Sequence, residues 1–297
     1  MKQITVFTPT YNRAYILSQL YKSLLNQTNK NFIWLVIDDG SIDNTRELVA
    51  KWKIEAPFKI DYVFKENGGM HTAHNLAYSL IETELNVCID SDDSLPSDAI
   101  KIILDIWNKI DNKNSFSGIV GLDADMDGKI IGTEMPIDIK NGSYYDLYKK
   151  VTGDKKFVLN TKLAKKYAKY PEYPNEKLVP LGILYIMMGK DNPFIFVNKV
   201  LCLVDYQSDG SSNGIFKQYA NSPKGFAYAR NIGKMYNNSF FYNVRNSIHI
   251  VSSAIFAKES SIISKGPKIY FNYLVIPFGF ILNLYIRFKI KCYEKNI

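Results

Sequence analysis

The chain has 297 residues, of which 46% are hydrophobic, 14% aromatic and 22% charged, with a formal net charge of +8. This length suits one large domain or a domain with an appendage, and the composition supplies an apolar core and argues against wholesale disorder. The three cysteines show no CxxC spacing. They therefore argue against a disulfide framework or a zinc site and favour a reducing compartment.

The positive charge is concentrated at the C-terminal end. Residues 258–297 contain seven Lys or Arg and two Glu, a net charge of +5, so the other 257 residues carry only +3. Basic residues beside apolar ones favour an anionic membrane surface over nucleic acid as a partner. The sequence does not open with a signal-peptide pattern. We therefore expect a cytoplasmic protein that binds no nucleic acid and acts at the inner face of the cell membrane.

The first hundred residues alternate between two periodicities. Short apolar runs at 4–9, 32–37, 60–64 and 85–89 predict strands, and segments with helical spacing follow each of them. The order βαβαβαβα favours a mostly parallel sheet with helices on both faces, an α/β fold. Ligands in such sheets bind outside the carboxyl ends of the strands.

The second half is less regular. It predicts a helix over 176–188, a long strand-like stretch over 193–206, a polar loop at 207–213 that could act as a lid, and mainly helix over 222–258. We divide the chain into a domain at 1–214 and a helical C-terminal region at 215–297.

Residues 269–288 are about long enough to span a bilayer, since a span needs roughly 20 residues. They include Asn272, Pro277, Gly279 and Asn283, and basic residues flank both ends. Three interpretations stay open: an amphipathic membrane contact, packing against the rest of the chain, and a true span. Membrane association is predicted for 266–297.

The stretch CIDSDDSLPSD, residues 88–98, directly follows a predicted strand and contains Asp90, Asp92, Asp93 and Asp98. Crowded carboxylates disfavour ionisation unless a positive group lies among them. A divalent cation is one such group, because hard cations prefer oxygen ligands. The alternative is an acidic cluster that caps the following helix.

Four motifs occur in order: VFTPTYNR (6–13), IDDGSIDNT (37–45), ENGGMHTAHN (66–75) and CIDSDDSL (88–95). Together they resemble the family 2 glycosyltransferases, and the resemblance covers roughly residues 3–210. It implies a GT-A fold and transfer of a sugar, with inversion, from a nucleotide-diphosphate donor to an acceptor hydroxyl. It also implies a requirement for Mn2+ or Mg2+.

The resemblance assigns roles in the acidic motif. Asp90 and Asp92 form the DxD pair around Ser91; Asp92 is the expected direct metal ligand, and Asp90 is expected to contact the ribose or a metal-bound water. Asp93 is expected to contact the donor sugar and is counted among the catalytic residues.

The other motifs are assigned to the nucleotide. Asp39, supported by Asp38, is expected to accept a hydrogen bond from the base, although a plain turn is the alternative. The Asn67-Gly68-Gly69 turn before a helix suits phosphate. The remaining residues expected to bind the donor are Thr8, Pro9, Tyr11 and Asn75, with surface packing as the alternative for Tyr11.

The catalytic base is less clearly marked. Inverting transfer needs a carboxylate that deprotonates the acceptor hydroxyl. The family places its base in an acidic pair, whereas here Glu176 is followed by Lys177, and Leu181 stands where relatives carry a second Glu. The choice lies between Glu176 and Glu172, and we favour Glu176. Its alternative role is a helix cap.

Two other nucleotide-binding classes lack their signatures, since no GxGxxG follows the first strand and no P-loop motif occurs. We expect a glycosyltransferase that builds bacterial surface polysaccharide, such as capsule, on a glycan or lipid-linked acceptor. The alternative is a catalytically weak module with the same fold that binds nucleotide-sugars or serves as a scaffold.

Overall fold

A computed structural model of the chain describes residues 2–207 and 214–295. The chain divides into two compact units, Met1–Lys169 with Met188–Gln207 and Tyr170–Met187 with Ser208–Ile297. The lid predicted at 207–213 lies, apart from Gln207, outside the described residues.

The first unit is built on one eight-stranded sheet. Its strands are β1 (Ile4–Thr10), β2 (Phe32–Asp38), β3 (Lys59–Phe64), β4 (Leu85–Cys88), β5 (Gly118–Asp125), β6 (Asn141–Gly142), β7 (Lys155–Asn160) and β8 (Phe194–Val204). They lie in the order β3-β2-β1-β4-β7-β5-β8-β6. The first four are mutually parallel, β7 is antiparallel to both β4 and β5, and β8 is parallel to β5.

Helices separate the strands. They are α1 (Ala14–Leu25), α2 (Thr45–Glu55), α3 (Met70–Leu80), α4 (Ala99–Trp107), α5 (Tyr144–Tyr148), α6 (Thr161–Tyr167) and α7 (Ile183–Asp191). The predicted βαβαβαβα order of the first half is confirmed, with strand ends within two residues of those expected.

Apolar burial fixes this sheet. All seven residues of β1 are buried, as expected for a parallel strand covered on both faces. Trp34 of β2 and Trp107 of α4 are fully buried, and both belong to a core that continues through β4 and β8. The core thereby fixes the carboxyl ends of β1, β2 and β4 side by side.

The helix predicted over 176–188 is wrong at its start, because α7 begins only at Ile183. Pro180 explains the difference. A proline within a helix removes a hydrogen bond and clashes with the preceding turn, and it disfavours the helical conformation of the residue before it. Glu176 therefore lies in non-helical backbone.

The second unit is helical, as predicted. Its longer helices are α8 (Ile215–Asn221), α9 (Pro223–Tyr236), α10 (Phe240–Ala257), α11 (Ile269–Leu274) and α12 (Ile276–Lys295). Helix α10 packs against α9, α11 and α12 around a small apolar core that includes Ile250 and Ala254. Within the described ranges, no helix combines the length and apolar character that crossing a bilayer requires.

Candidate active site

The two acidic loops follow neighbouring strands at the same edge of the sheet. Strand β1 lies between β2 and β4 and pairs Thr10 with Asp38. Just beyond, the Asp39 N–H donates to the Thr10 carbonyl over 2.8 Å, and the Ile89 N–H donates to the Phe7 carbonyl over 3.0 Å. The sheet therefore brings the DDGS and DSDD motifs to the same edge, on either side of the end of β1.

The loop after β1 contacts both acidic loops. The Ala14 N–H donates to Asp43 Oδ2 in the loop after β2, over 3.0 Å. On the other side, Arg13 Nη1 lies 3.6 Å from Asp92 Oδ2, with both side chains about one fifth exposed. A single loop thus ties the two acidic motifs together and supplies one of them with a cation.

Asp39 is buried, and its carboxylate holds the glycine turn before α3. One oxygen accepts from Lys65 Nζ over 2.6 Å and from the Gly68 N–H over 3.0 Å. The other accepts from the Gly69 N–H over 2.8 Å and from the Asn67 amide over 3.2 Å. Asp39 therefore shapes the turn to which the sequence assigned phosphate binding.

Two glycines are required by the close approach of these loops. Gly40 has a φ of +91°, and a Cβ there would lie 2.8 Å from the Asn67 backbone nitrogen. A Cβ on Gly68 would lie 2.7 Å from Thr72 Oγ1. A larger side chain at position 40 would require the backbone to move, and one at position 68 would displace the Thr72 and Lys65 side chains.

Asp38 is also buried and acts within its own loop. Its carboxylate accepts from the Ser41 N–H and from the Tyr62 hydroxyl, each over 2.7 Å. Burial, and then the hydrogen bond to Asp38, raises the pKa of Tyr62, so this phenol stays protonated and keeps donating. The two aspartates of this motif thus have distinct partners.

The three aspartates of the DSDD motif differ in burial. Asp90 and Asp92 are half-buried, whereas Asp93 is 5% exposed. Asp93 Oδ2 lies 3.7 Å from Lys156 Nζ and accepts from Cys202 Sγ over 3.5 Å. Burial raises the pKa of Asp93 to about 7; Lys156 opposes this rise, and Asp90 and Asp92 add to it.

The helix-cap alternative does not describe this cluster. Asp98 is the N-cap residue of α4, but its side chain makes no capping hydrogen bond. Asp93 is directed instead to Lys156 on β7. Asp93 is therefore paired with a largely enclosed cation, whose side chain is 13% exposed, rather than with the helix start.

Lys156 has a second carboxylate neighbour. Asp123 of β5 is 3% exposed, and its Oδ1 has no hydrogen-bond partner within residues 2–207 and 214–295. Burial raises the pKa of Asp123, and Lys156 is the largest opposing influence. Burial alone would lower the pKa of Lys156, but the surrounding anionic groups, Asp123 and Asp93 among them, hold it well above its usual value.

The donor set suits a divalent cation that is shared with a substrate. No group of three or more His, Cys, Asp or Glu side chains in the described parts of the chain could hold a metal ion. A hard cation can, however, bind through one or two carboxylates plus substrate phosphates. Four carboxylates and two cations belong to this part of the site, and their formal charges sum to −2 when every carboxylate is ionised. They are Asp90, Asp92, Asp93 and Asp123, with Arg13 and Lys156. Because the pKa values of Asp93 and Asp123 are raised, the net charge near pH 7 is less negative than this sum.

The other residues assigned to the donor are placed as follows. Thr8 is fully buried, and its hydroxyl accepts from the Trp34 indole over 3.0 Å. Pro9 and Ser91 are buried, Asn75 on α3 is half-buried, and Tyr11 is 47% exposed. Of this set, only Tyr11 presents a largely exposed side chain.

His74 on α3 is buried behind the DxD motif. Its Nε2 lies 3.5 Å from Cys88 Sγ, and its ring packs edge-on against Phe7. Burial, and then His71, lowers the pKa of His74 to about 3, so the imidazole is neutral near pH 7. This side chain therefore packs between the sheet and α3 without adding charge.

Glu176 belongs to the second unit, where it caps a helix. Its two carboxylate oxygens accept from the backbone N–H groups of Lys224 and Gly225, over 3.0 and 2.9 Å, in the first turn of α9. Ser222, the N-cap residue of α9, makes no side-chain capping bond. A carboxylate in this position satisfies exposed helix donors and interacts favourably with the helix dipole.

The cations at the acidic edge were missed by the sequence reasoning. Arg13 and Lys65 border the predicted motifs and could have been found as basic residues beside them. Lys156 and Asp123 lie far from the motifs in sequence. Their signal was a charged residue inside an apolar strand, since such a residue is rarely buried without a partner.

The comparisons with known proteins concern the family and the fold. The family model described as "Glycosyl transferase family 2" matches residues 5–160. A protein of Nostoc sp., described as an uncharacterized glycosyltransferase, is 30% identical over 109 residues, which cover 37% of this chain and 34% of that protein.

Two solved structures share the fold at low sequence identity. TarS 1-349 of S. aureus in complex with UDP-GlcNAc is 16% identical, with a TM-score of 0.58 over 93% of this chain and 89% of that one. The mannosyltransferase PcManGT of Pyrobaculum calidifontis, in complex with GDP-Man and Mn2+, is 15% identical, with a TM-score of 0.53 over 95% and 87% of the two chains.

The position of Lys156 beside two buried carboxylates gives a direct prediction for the free energy of unfolding. Lys156→Met leaves Asp93 and Asp123 buried without their cation, and we expect it to destabilise the first unit by about 3–5 kcal/mol. Urea unfolding followed by tryptophan fluorescence measures this unit alone, because the three Trp residues of the chain are at 34, 52 and 107.

Lys199→Met is the matched control, since Lys199 is exposed on β8, and a change within about 0.5 kcal/mol is expected there. Adding Asp123→Asn to Lys156→Met should recover part of the loss, because one of the two uncompensated charges is removed. Wild-type stability of Lys156→Met would contradict the role assigned to the lysine.

Proposed function

The chain belongs to glycosyl transferase family 2, whose model matches more than half of it, and from this premise we propose the reaction that it catalyses. It transfers a sugar from a nucleotide-diphosphate donor, a UDP-sugar, to a hydroxyl of a glycan or lipid-linked acceptor. The anomeric centre is inverted, and Mn2+ or Mg2+ is required.

One observation carries the proposal: the convergence of two acidic loops and a glycine turn at one edge of the GT-A sheet. Arg13 and Asp43 tie the loops to each other, and Asp39 holds the turn. Each loop alone has a plain structural interpretation. Together they provide carboxylates for a cation and backbone N–H groups for phosphate within one sheet edge.

The proposed metal ligands are Asp92 and Asp90, the half-buried pair of the DSDD motif. With all four carboxylates ionised, the formal charge of −2 that remains after Arg13 and Lys156 would match a divalent ion, and a bound cation would favour the ionised form of Asp93. When bound, the ion would offset the charge that develops on the leaving diphosphate. Asp93, held by Lys156, would orient the donor sugar from the buried side of the motif.

The donor class is supported by the chain's own groups and by the structural neighbours. PcManGT binds GDP-Man with Mn2+, and TarS binds UDP-GlcNAc. In this chain Asp38, Asp39 and Tyr11 would face the nucleotide, and the Gly68 turn would face the phosphates. Lys65, 2.6 Å from Asp39 Oδ1, would add positive charge near that turn.

Glu176 is proposed as the base that removes the proton from the acceptor hydroxyl as it attacks the anomeric carbon. The support is its place in a stretch that resembles the family's base region. Its helix-capping bonds to Lys224 and Gly225 give it a second, structural role. The two roles predict different consequences when the carboxylate is replaced.

We also propose a biological setting, in which the protein acts in the cytoplasm at the inner face of the cell membrane and contributes to surface polysaccharide such as capsule. The support is the family resemblance and the basic, apolar C-terminal segment of the second unit. A weakly active nucleotide-sugar-binding module is the second candidate, favoured by the capping contacts of Glu176.

Asp92→Asn tests the metal role. We expect donor hydrolysis in the presence of Mn2+ to fall about a hundredfold or more, since one anionic ligand is lost at the site of charge development. Stability should change by less than about 1 kcal/mol, because the Arg13–Asp92 pair is partly exposed.

Asp98→Asn is the matched control, an exposed aspartate of the same stretch, and it should retain wild-type hydrolysis. Equal turnover by Asp92→Asn and wild type would remove the metal role. If the wild-type protein binds nucleotide but does not hydrolyse the donor, the hypothesis of a nucleotide-sugar-binding module replaces that of an enzyme.

Glu176→Gln separates the base from the cap. As a base, the residue contributes about 10²–10⁴ to the transfer rate, so we expect a loss in that range with donor affinity unchanged. As a cap, its replacement costs at most about 0.5–2 kcal/mol, because Gln keeps one acceptor oxygen.

Transfer rate, nucleotide affinity and thermal unfolding are to be measured on the same preparations, with Glu172→Gln as the control. A variant that is less stable but transfers at the wild-type rate would leave Glu176 with the capping role alone. Loss of transfer in Glu172→Gln instead would move the base assignment to that residue.

A further inference from the structure

The buried side of helix α12 includes a glycine and an asparagine. Gly279, Asn283 and Ile286 of α12 are buried, as is Val275, which directly precedes the helix. A Cβ on Gly279 would lie 2.3 Å from a methyl carbon of Val251, so the two helices are in close contact. The Asn283 amide donates to the Ser252 carbonyl of α10 over 3.3 Å. Asn283, one of the two Asn residues of segment 269–288, is thereby hydrogen-bonded inside the unit.

The opposite face of α12 presents large apolar side chains to solvent. The side chains of Phe278, Phe280, Ile281, Leu284 and Phe288 are all more than half exposed. A surface helix of a water-soluble unit normally has the reverse arrangement, with its apolar stripe inward and its polar face outward. The amphipathicity of α12 is therefore suited to an apolar environment outside the protein.

The apolar face continues beyond α12. Tyr270, Tyr273 and Leu274 of α11 are each more than half exposed, as are Phe240 and Phe241 in the first turn of α10. The Phe240 ring packs 5.5 Å from Phe271, which connects the first turn of α10 to α11. Contiguous exposed apolar surface of this kind marks an interaction site rather than ordinary surface.

The charge around this face selects the partner. No Asp or Glu occurs between residues 260 and 293, while Arg287, Lys289 and Lys291 follow the exposed aromatic residues of α12. Two copies of so basic a face would repel each other, whereas a surface of anionic phospholipid would attract it. Aromatic and aliphatic residues beside Lys and Arg are the composition of helices that lie in a membrane interface.

We propose that the apolar face formed by α11, α12 and the first turn of α10 binds the surface of an anionic lipid bilayer, with α12 lying in the plane of the interface. This inference makes the membrane location proposed above specific to a surface and a lipid class. It is independent of the sugar-transfer reaction. For a lipid-linked acceptor, it would place the enzyme on the surface where the acceptor is embedded.

Vesicle co-flotation of the full chain tests the proposal, with vesicles of phosphatidylcholine alone or of equal parts phosphatidylcholine and phosphatidylglycerol. We expect binding to the mixed vesicles that weakens with added salt and with Lys291→Glu, since Lys291 is exposed on α12. Equal binding to both vesicle types would overturn the role of charge in the proposal.

Two double variants test the face itself. Ile281→Ser with Leu284→Ser removes two exposed aliphatic side chains from it, and we expect at least about tenfold weaker vesicle binding. Ile54→Ser with Ile137→Ser removes two aliphatic side chains from the first unit that are still more exposed, and this variant should bind as wild type does. Because all four residues are exposed, thermal unfolding should be unchanged in both variants.

Three further outcomes would contradict the proposal or limit its scope. Binding that Ile281→Ser with Leu284→Ser leaves intact would place the lipid contact elsewhere. A concentration-dependent dimer, abolished by that variant and accompanied by no vesicle binding, would assign the face to a second copy. Donor hydrolysis in lipid-free buffer is measured in parallel, so that loss of vesicle binding with intact hydrolysis overturns this inference alone.

Discussion

Charge compensation at the carboxyl ends of β1, β2 and β4 is the constraint around which the first unit is organised. Each acidic motif residue with a close ionic contact has its own cation: Arg13 for Asp92, Lys65 for Asp39 and Lys156 for Asp93. Because buried carboxylates are costly to ionise without such partners, these three contacts determine how closely the loops can approach. Glycine at positions 40 and 68 then permits that approach.

The charge compensation is incomplete at two carboxylates, Asp90 and Asp123. Asp90 forms no ion pair with any residue in the described ranges, and Asp123 keeps a buried oxygen without a hydrogen-bond partner there. Lys156 is close enough to influence both residues. Buried charges with a purely structural role are normally paired with charges of opposite sign. These incompletely compensated carboxylates are therefore the physical basis for proposing a divalent cation that arrives with a diphosphate.

The sequence predicted the parts of this arrangement that are local. Strand ends and motif order follow from short apolar runs and adjacent turn residues, so β1 to β4 and the position of both acidic loops could be read directly. The partnership of Lys156 with Asp93 could not, because it depends on β7 inserting antiparallel beside β4. The helix over 176–188 was misjudged because apolar spacing was given more weight than Pro180, whose backbone restriction is decisive.

The sequence also could not predict which residues of segment 269–288 face outward. The composition of the segment could not distinguish a span from an amphipathic contact, because the facing of each residue depends on α10. Asn272 accepts from the fully buried Lys234 and donates to the Ile263 carbonyl, each over less than 3 Å. Burial, and then Lys268, lowers the pKa of Lys234 to about 8, which reflects the cost of a cation in this interior. This unit has an apolar core, but it also places Lys and Asn inside and Phe, Leu and Ile outside, so part of its apolar surface stays in water. Burial of its outer face in lipid would remove this remaining apolar surface from water as well.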